Sequence, residues 1–325
     1  MNCINKIPQL NSFSFGVLAG ISDSLVFYFV QTCTQTINLY LVNAIQFSTA
    51  FLFTIPVLFC SRLSPLEVDG NALKIALRCV GAIVITSGKY NMFTYVSLTE
   101  GSVMLAVSSA ILVYISSCVF LKHMLTIKDV VCMVAAIGGT ILANIEELLQ
   151  DRSFDLDILK GYLFGTASAI GYGFSAVVSN KMGTLPVTIL MFYLLITQML
   201  FNWFMVIILQ ETILIYDSML YINLFGLVVV FYITQYCLNK GLQVGNPTYC
   251  LIGGYSHIPT SAIIEVLIIG NTLSLIKICG SVFVTLVLVI CAMSVKQMQE
   301  LFHEVKSKFS RNSPIENISL RDNLK

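Results

Sequence analysis

Long apolar runs separated by short polar breaks organise the whole chain. Crossing the hydrocarbon core of a bilayer takes about 20 mostly apolar residues in a helix. Such runs fall at 12–31, 39–60, 75–96, 101–121 and 127–145, and again at 159–180, 185–209, 218–239, 246–268 and 274–295. The breaks carry turn or polar residues: Ser61–Gly70, Lys122–Thr126, Lys181–Leu185, Gly245–Pro247 and Gly270–Leu273. Only Glu146–Asp157 is a longer acidic loop, and it sits midway. In lipid every backbone polar group needs an internal partner, which a helix supplies within one segment. The pattern therefore predicts an all-α integral membrane protein with ten transmembrane helices. Past residue 295, Met298, Leu301, Phe302, Val305 and Phe309 recur at helical spacing with charges between them. That spacing predicts an amphipathic helix on the membrane surface, followed by a basic end.

The pattern repeats. Gly16-Val-Leu-Ala-Gly20 in the first run has a counterpart in Gly161-Tyr-Leu-Phe-Gly165 of the sixth. Both are small-xxx-small faces suited to close helix contact. Ser108-Ser-Ala-Ile followed by Lys122-His-Met-Leu-Thr126 matches, in spacing, Ser256-His-Ile-Pro followed by Gly270-Asn-Thr-Leu-Ser274. Five spans per half is an odd number, so the second half inserts upside down relative to the first, an arrangement typical of transporters with a midplane site. The expected organisation is an N-terminus at 1–11, a first five-helix repeat at 12–145, a connecting loop at 146–158, a second repeat at 159–295 and a tail at 296–325.

Composition and charge sharpen this picture. The chain is 57% hydrophobic and 11% charged, whereas soluble domains carry about 25% charged residues. With ten spans, thirteen basic residues (Lys6, Arg62, Lys74, Lys122, Lys128, Lys181, Lys240 and six in the tail) share one side. The other side holds Arg152 and Lys160 amid seven acidic residues. This bias places both termini in the cytoplasm and leaves the Asn317-Ile-Ser319 sequon there, unglycosylated. A net charge of +1, with basic residues gathered only in the tail, argues against a nucleic-acid partner. The ten cysteines lie mostly inside apolar runs without C-x-x-C or Cys/His spacing, so they read as small apolar residues and no metal or cofactor is expected. Met1–Leu10 lacks the features of a cleavable signal, so the first helix is expected to act as an uncleaved insertion signal.

A family resemblance rests on Leu77-Arg78, Ser97-Leu98, Ser108-Ser109 and Leu121-Lys122 in the first half. In the second half it rests on Leu159-Lys160-Gly161, Ser168-Ala169, Lys181-Met182-Gly183, Ile233-Thr234 and Lys240-Gly241-Leu242-Gln243. With these the chain resembles the drug/metabolite transporter superfamily with two EamA-type halves, within it the solute carrier 35 family, and most closely subfamily G. The resemblance implies a central cavity between the halves and a small-molecule substrate. It allows plasma membrane, endoplasmic reticulum or Golgi. Two landmarks differ: Ala110-Ile111 stands where the family often has Pro, and His123 where it often has Glu, with Asn271 at the corresponding place of the second half.

Ionisable groups inside a bilayer cost roughly 2.5–3.5 kcal/mol each at midspan, so each needs a reason. Asp23 lies mid-helix one. Lys89 lies on a helix-three face with Arg78, Ala82, Thr86 and Phe93, and His257, Ser261 and Glu265 share a helix-nine stripe. Asp23 and Lys89 either lock two helices as an ion pair or line a cavity for charged substrate or a coupling proton. Arg78 and Lys277 are expected to snorkel to an interface. His257 and Glu265 form either a proton relay or a satisfied polar contact. Polar stripes with Ser168, Tyr172, Ser175 and Ser179 on helix six, and Tyr232, Gln235 and Asn239 on helix eight, suit a hydrophilic solute or helix pairing. The candidate binding or coupling set is Asp23, Arg78, Thr86, Lys89, Tyr172, Tyr232, Gln235, His257, Ser261 and Glu265. No catalytic motif is present, so no enzyme is expected. Two functions follow: a secondary transporter of a small polar, anionic solute, or a non-transporting adaptor working through its cytoplasmic tail. A homodimer stays open under either.

Overall fold

The protein was analysed as a computed structural model that describes residues 6–66, 68, 70–121, 127–143, 156–182, 185–210, 218–244, 250 and 253–292. His123, most of the acidic connecting loop and the tail from 296 onward lie outside the described residues. The described chain is helical throughout, without strands: α1 (Lys6–Thr34), α2 (Leu39–Cys60), α3 (Ala72–Tyr95), α4 (Leu98–Leu121), α5 (Ile127–Ala143), α6 (Leu156–Asn180), α7 (Val187–Ile208), α8 (Ser218–Val244), α9 (His257–Ile264) and α10 (Leu275–Ala292). A π-helical turn, Glu265–Ile269, extends α9.

Local chemistry sets several of these ends. Asn38 caps α2 by accepting the Tyr40 amide through its side chain at 2.8 Å, which satisfies a donor that the first helical turn leaves orphaned. Helix α9 begins at His257, after helical Gly253 and Gly254 and a turn at Tyr255-Ser256, and Pro259 suits its first turn, where the missing N–H costs nothing. The π turn closes on Gly270 at φ 81°, whose amide returns to the Glu265 carbonyl; glycine reaches that left-handed conformation without a side-chain clash.

Four helices, α1 over Ser12–Thr34 together with α2, α7 and α8, are long and apolar enough to cross a membrane. Their outward faces carry large apolar side chains such as Leu52, Phe59, Leu200, Phe204, Ile222 and Phe225. In lipid such exposure carries no hydrophobic penalty. Helix α3 is less apolar because it brings Arg78 and Lys89 inside, where both are buried.

The most extensive packing pairs follow one rule. Helix α3 packs on α6 and α8 on α1; α4 packs on α6 and α9 on α1; α3 meets α7 and α8 meets α2. Adding five to each helix number exchanges the members of these pairs, and the contacts α2–α7, α5–α10 and α4–α9 map onto themselves. Small residues make the matching close approaches. A Cβ on Gly16 or Gly20 would strike the backbone around Cys250 or Gly254, whereas one on Gly161 or Gly165 would strike Tyr95 and Val96 or Met92 and Met104. The first pair thus fits the approach to α9, and the second fits the junction of α3 with α4.

Candidate functional site

Where α2, α3, α6, α7 and α8 meet, a small cavity of about 30 Å³ lies between them. Helix α3 supplies one wall with Arg78, Ala82, Ile85, Thr86 and Lys89, spaced three or four residues apart so that they share a face. Helix α8 faces it with Phe231, Gln235 and Leu238, helix α7 with Met191, Leu194, Leu195 and Gln198, while Tyr172 comes from α6 and Phe47 from α2. The lining therefore draws on both the first five helices and the last five.

Arg78 is buried, 4% exposed. Its Nε donates to Ser179 Oγ at 2.9 Å and its Nη2 to Asn239 Oδ1 at 3.5 Å. The Asn239 amide nitrogen is committed to the Gln235 carbonyl at 2.7 Å, which leaves its oxygen for the guanidinium. Both partners are neutral, and no carboxylate among the described residues pairs with Arg78. The expected snorkelling is not what the structure has. Six residues into α3, the guanidinium is held inward by hydrogen bonds from α6 and α8.

Lys89 sits deeper along α3 and is compensated. Its ammonium pairs with Asp23 Oδ1 at 2.8 Å and lies 4.7 Å from the Phe27 ring centroid and 5.4 Å from that of Tyr90. Tyr172 lies close enough to interact electrostatically with both Lys89 and Arg78. Asp23 does not line the cavity; it stands behind Lys89 and anchors it to α1.

Of two amides that escape a sequence reading, Gln198 completes the wall, while Gln46 lies outside the lining, next to Phe47. Gln198 Nε2 donates to Thr86 Oγ1 at 2.9 Å, and Gln46 Nε2 to the Tyr90 hydroxyl at 3.3 Å. Their Oε1 atoms are buried without a protein hydrogen-bond partner among the described residues. Buried acceptors almost always have a partner, so an acceptor on the cavity wall suits a ligand that donates. The sequence signal was available: Gln198 and Asn202 are spaced i,i+4 inside an otherwise apolar helix.

The remaining candidates lie elsewhere. Tyr232 packs beside the main apolar cluster of the helices. Ser168 and Ser179 knit α6 to α3, the former by donating to the Ile85 carbonyl at 2.9 Å. His257, Ser261 and Glu265 gather where α1, α4 and α9 meet. Glu265 accepts the backbone amide of Thr99 at 2.9 Å and also its hydroxyl. Nearby, Lys277 of α10 pairs with Glu100 of α4, so it too is anchored rather than snorkelling. Among the described residues no His, Cys, Asp and Glu cluster could hold a metal ion.

Residues 11–145 carry an EamA-like transporter family domain. This EamA-like domain coincides with α1–α5. No curated protein matches the sequence. Of 28 solved chains that match the structure, one described only as "Crystal structure of protein" aligns with a TM-score of 0.67. It covers 89% of this chain and 99% of its own length at 14% identity, and so speaks for a shared fold alone. The EamA-like domain and the apolar helices identify a multi-pass integral membrane protein and point to a non-enzymatic transporter of small solutes.

Proposed function

We propose that this chain is a secondary transporter of a small anionic solute that also carries hydrogen-bond donors. Arg78 carries the reading: a buried guanidinium on a cavity wall, answered only by neutral groups. An uncompensated ion withdrawn from water costs several kcal/mol, and an anionic ligand is the counter-charge the cavity lacks. Gln198 Oε1, with Gln235 and Tyr172 nearby, would accept from hydroxyl or amine groups of the same ligand. Phe47 and Phe231 give it apolar surface. The cavity of about 30 Å³ is far smaller than the roughly 300–1,000 Å³ of small-molecule sites, so solute entry requires the helices to part.

Two inverted five-helix repeats and alternating access belong to the same proposal. The exchange of packing pairs under a shift of five helices supports the repeat, and the odd number of spans in each half would invert it. A cavity lined from both halves then changes its exposure as one half rocks against the other. The resemblance to the solute carrier 35 family and the placing of both termini in the cytoplasm rest on the sequence alone. Ligand-dependent stability tests the reading without knowing the transport direction. A dicarboxylate or a nucleotide-linked sugar should raise the melting temperature of the purified protein, and an amine of similar size should not. The same stabilisation by amines would remove Arg78 from the account.

A further inference from the structure

The contact between α4 and α9 contains a histidine whose two ring nitrogens both face carbonyl oxygens. His257 Nδ1 lies 2.7 Å from the Gly254 carbonyl and Nε2 lies 3.1 Å from the Ser102 carbonyl on α4. A carbonyl oxygen only accepts, and a neutral imidazole has one N–H. In the neutral form one ring nitrogen would turn a lone pair toward a carbonyl. Both contacts are satisfied only when the ring carries two protons.

We propose that His257 is the proton-binding site that couples this transporter to pH, its imidazolium latching α9 to α4. The inference rests on the transporter reading above and names its coupling ion. The latch leads back to the cavity through serines. Ser102 and Ser261 hydroxyls lie 2.8 Å apart, Ser261 donates to Ser24 at 3.1 Å, and Ser24 donates to the His257 carbonyl at 2.9 Å. Ser24 follows Asp23, whose carboxylate holds Lys89 at the cavity wall. Loss of the proton would remove one of the ties between α9 and α4, beside Ser102–Ser261 and Thr99–Glu265, and so loosen the contact and let α1 shift, carrying Asp23 with it.

The other charged groups on the packed elements already have partners. On α1, Asp23 pairs with Lys89 of α3; on α4, Glu100 pairs with Lys277 of α10; after α9, Glu265 is bonded to Thr99. Among the described residues none of these carboxylates forms an ion pair with His257, so its charge is met by the two carbonyl dipoles.

Two measurements on the full chain, wild type and His257→Gln, decide the matter. Glutamine keeps an amide donor but does not titrate. The first is backbone hydrogen exchange in lipid nanodiscs at about pH 5.5 and about pH 8, spanning the range in which histidines change charge. After correction for intrinsic pH dependence, residues 98–104 and 253–264 of the wild type should exchange at least about fivefold more slowly at the acid pH, the low end of ordinary coupling between sites. The variant should show no such difference. Equal protection at both pH values in the wild type, or the same response in the variant, overturns the latch. The second compares solute uptake by proteoliposomes with and without a pH gradient. That ratio should be at least about five in the wild type and near one in His257→Gln; equal ratios overturn the coupling role. A latch seen by exchange in a protein that moves no anion would sink the transport proposal and leave the proton site standing.

Discussion

Removing one charge from the Asp23–Lys89 pair should be far more damaging than removing both. The ammonium is 4% exposed and its carboxylate partner 16%. Asp23→Asn leaves Lys89 buried without a counter-charge, a change that costs about 3–5 kcal/mol. The ring contacts with Phe27 and Tyr90 persist in the variant and drop out of the difference. For a chain of this size 1 kcal/mol moves the melting temperature by about 2 °C, so the expected fall is roughly 6–10 °C. Replacing both residues, as Asp23→Asn with Lys89→Met, removes the unpaired ion and should return the protein to within about 1–2 kcal/mol of wild type. Lys89 lines the cavity, so an anionic ligand can stand in for the missing carboxylate. At about 100 times its dissociation constant a ligand adds about 2.7 kcal/mol, and the melting temperature of Asp23→Asn should recover correspondingly. The assay is thermal unfolding of purified protein, followed by size-exclusion fluorescence. A double variant no more stable than Asp23→Asn would refute the charge argument.

Three further outcomes follow from the same geometry. Arg78→Gln should raise the melting temperature, because it deletes an uncompensated buried ion, while anion uptake falls at least about tenfold, the equivalent of 1.4 kcal/mol; a variant that loses both would mark Arg78 as structural. Gly88→Val should fail to give a monodisperse protein, since even a Cβ there would lie 2.6 Å from the Phe164 carbonyl and 2.8 Å from the Ser168 amide, whereas Gly138→Ala, with nothing within 4 Å, should behave as wild type on gel filtration. A glycosylation sequon inserted within 146–158 should be modified in cells and Asn317 should not; the reverse pattern on a mobility gel would invert the predicted topology.

Much of the helical layout was legible because the bilayer imposes it. The apolar run at 39–60 is α2 to the residue, and α5, α7 and α8 begin within two residues of their predicted starts. The ninth run is helical at Cys250, Gly253 and Gly254 and again from His257, but hydropathy gave no sign of the turn at Tyr255-Ser256 that interrupts it. The ion pair between Asp23 and Lys89 could be suspected from two opposite charges in separate apolar runs. Arg78 was among the candidate binding residues and does line the cavity, but the snorkelling expected of it and of Lys277 failed, since distance from a helix end says nothing of Ser179, Asn239 or Glu100 waiting on other helices. Gln198 and Gln46 went unremarked because uncharged amides blend into an apolar run. Only packing decides which of them reaches the cavity.

The claim on which the rest depends is that the cavity moves anions. Its most direct test is uptake of labelled dicarboxylates, nucleotide-linked sugars and amines by proteoliposomes containing the wild type or Arg78→Gln. The account predicts saturable uptake of an anionic class in the wild type, at least about tenfold weaker in Arg78→Gln, with amines excluded by both. Preferred uptake of an amine, or anion uptake indifferent to Arg78, would contradict it.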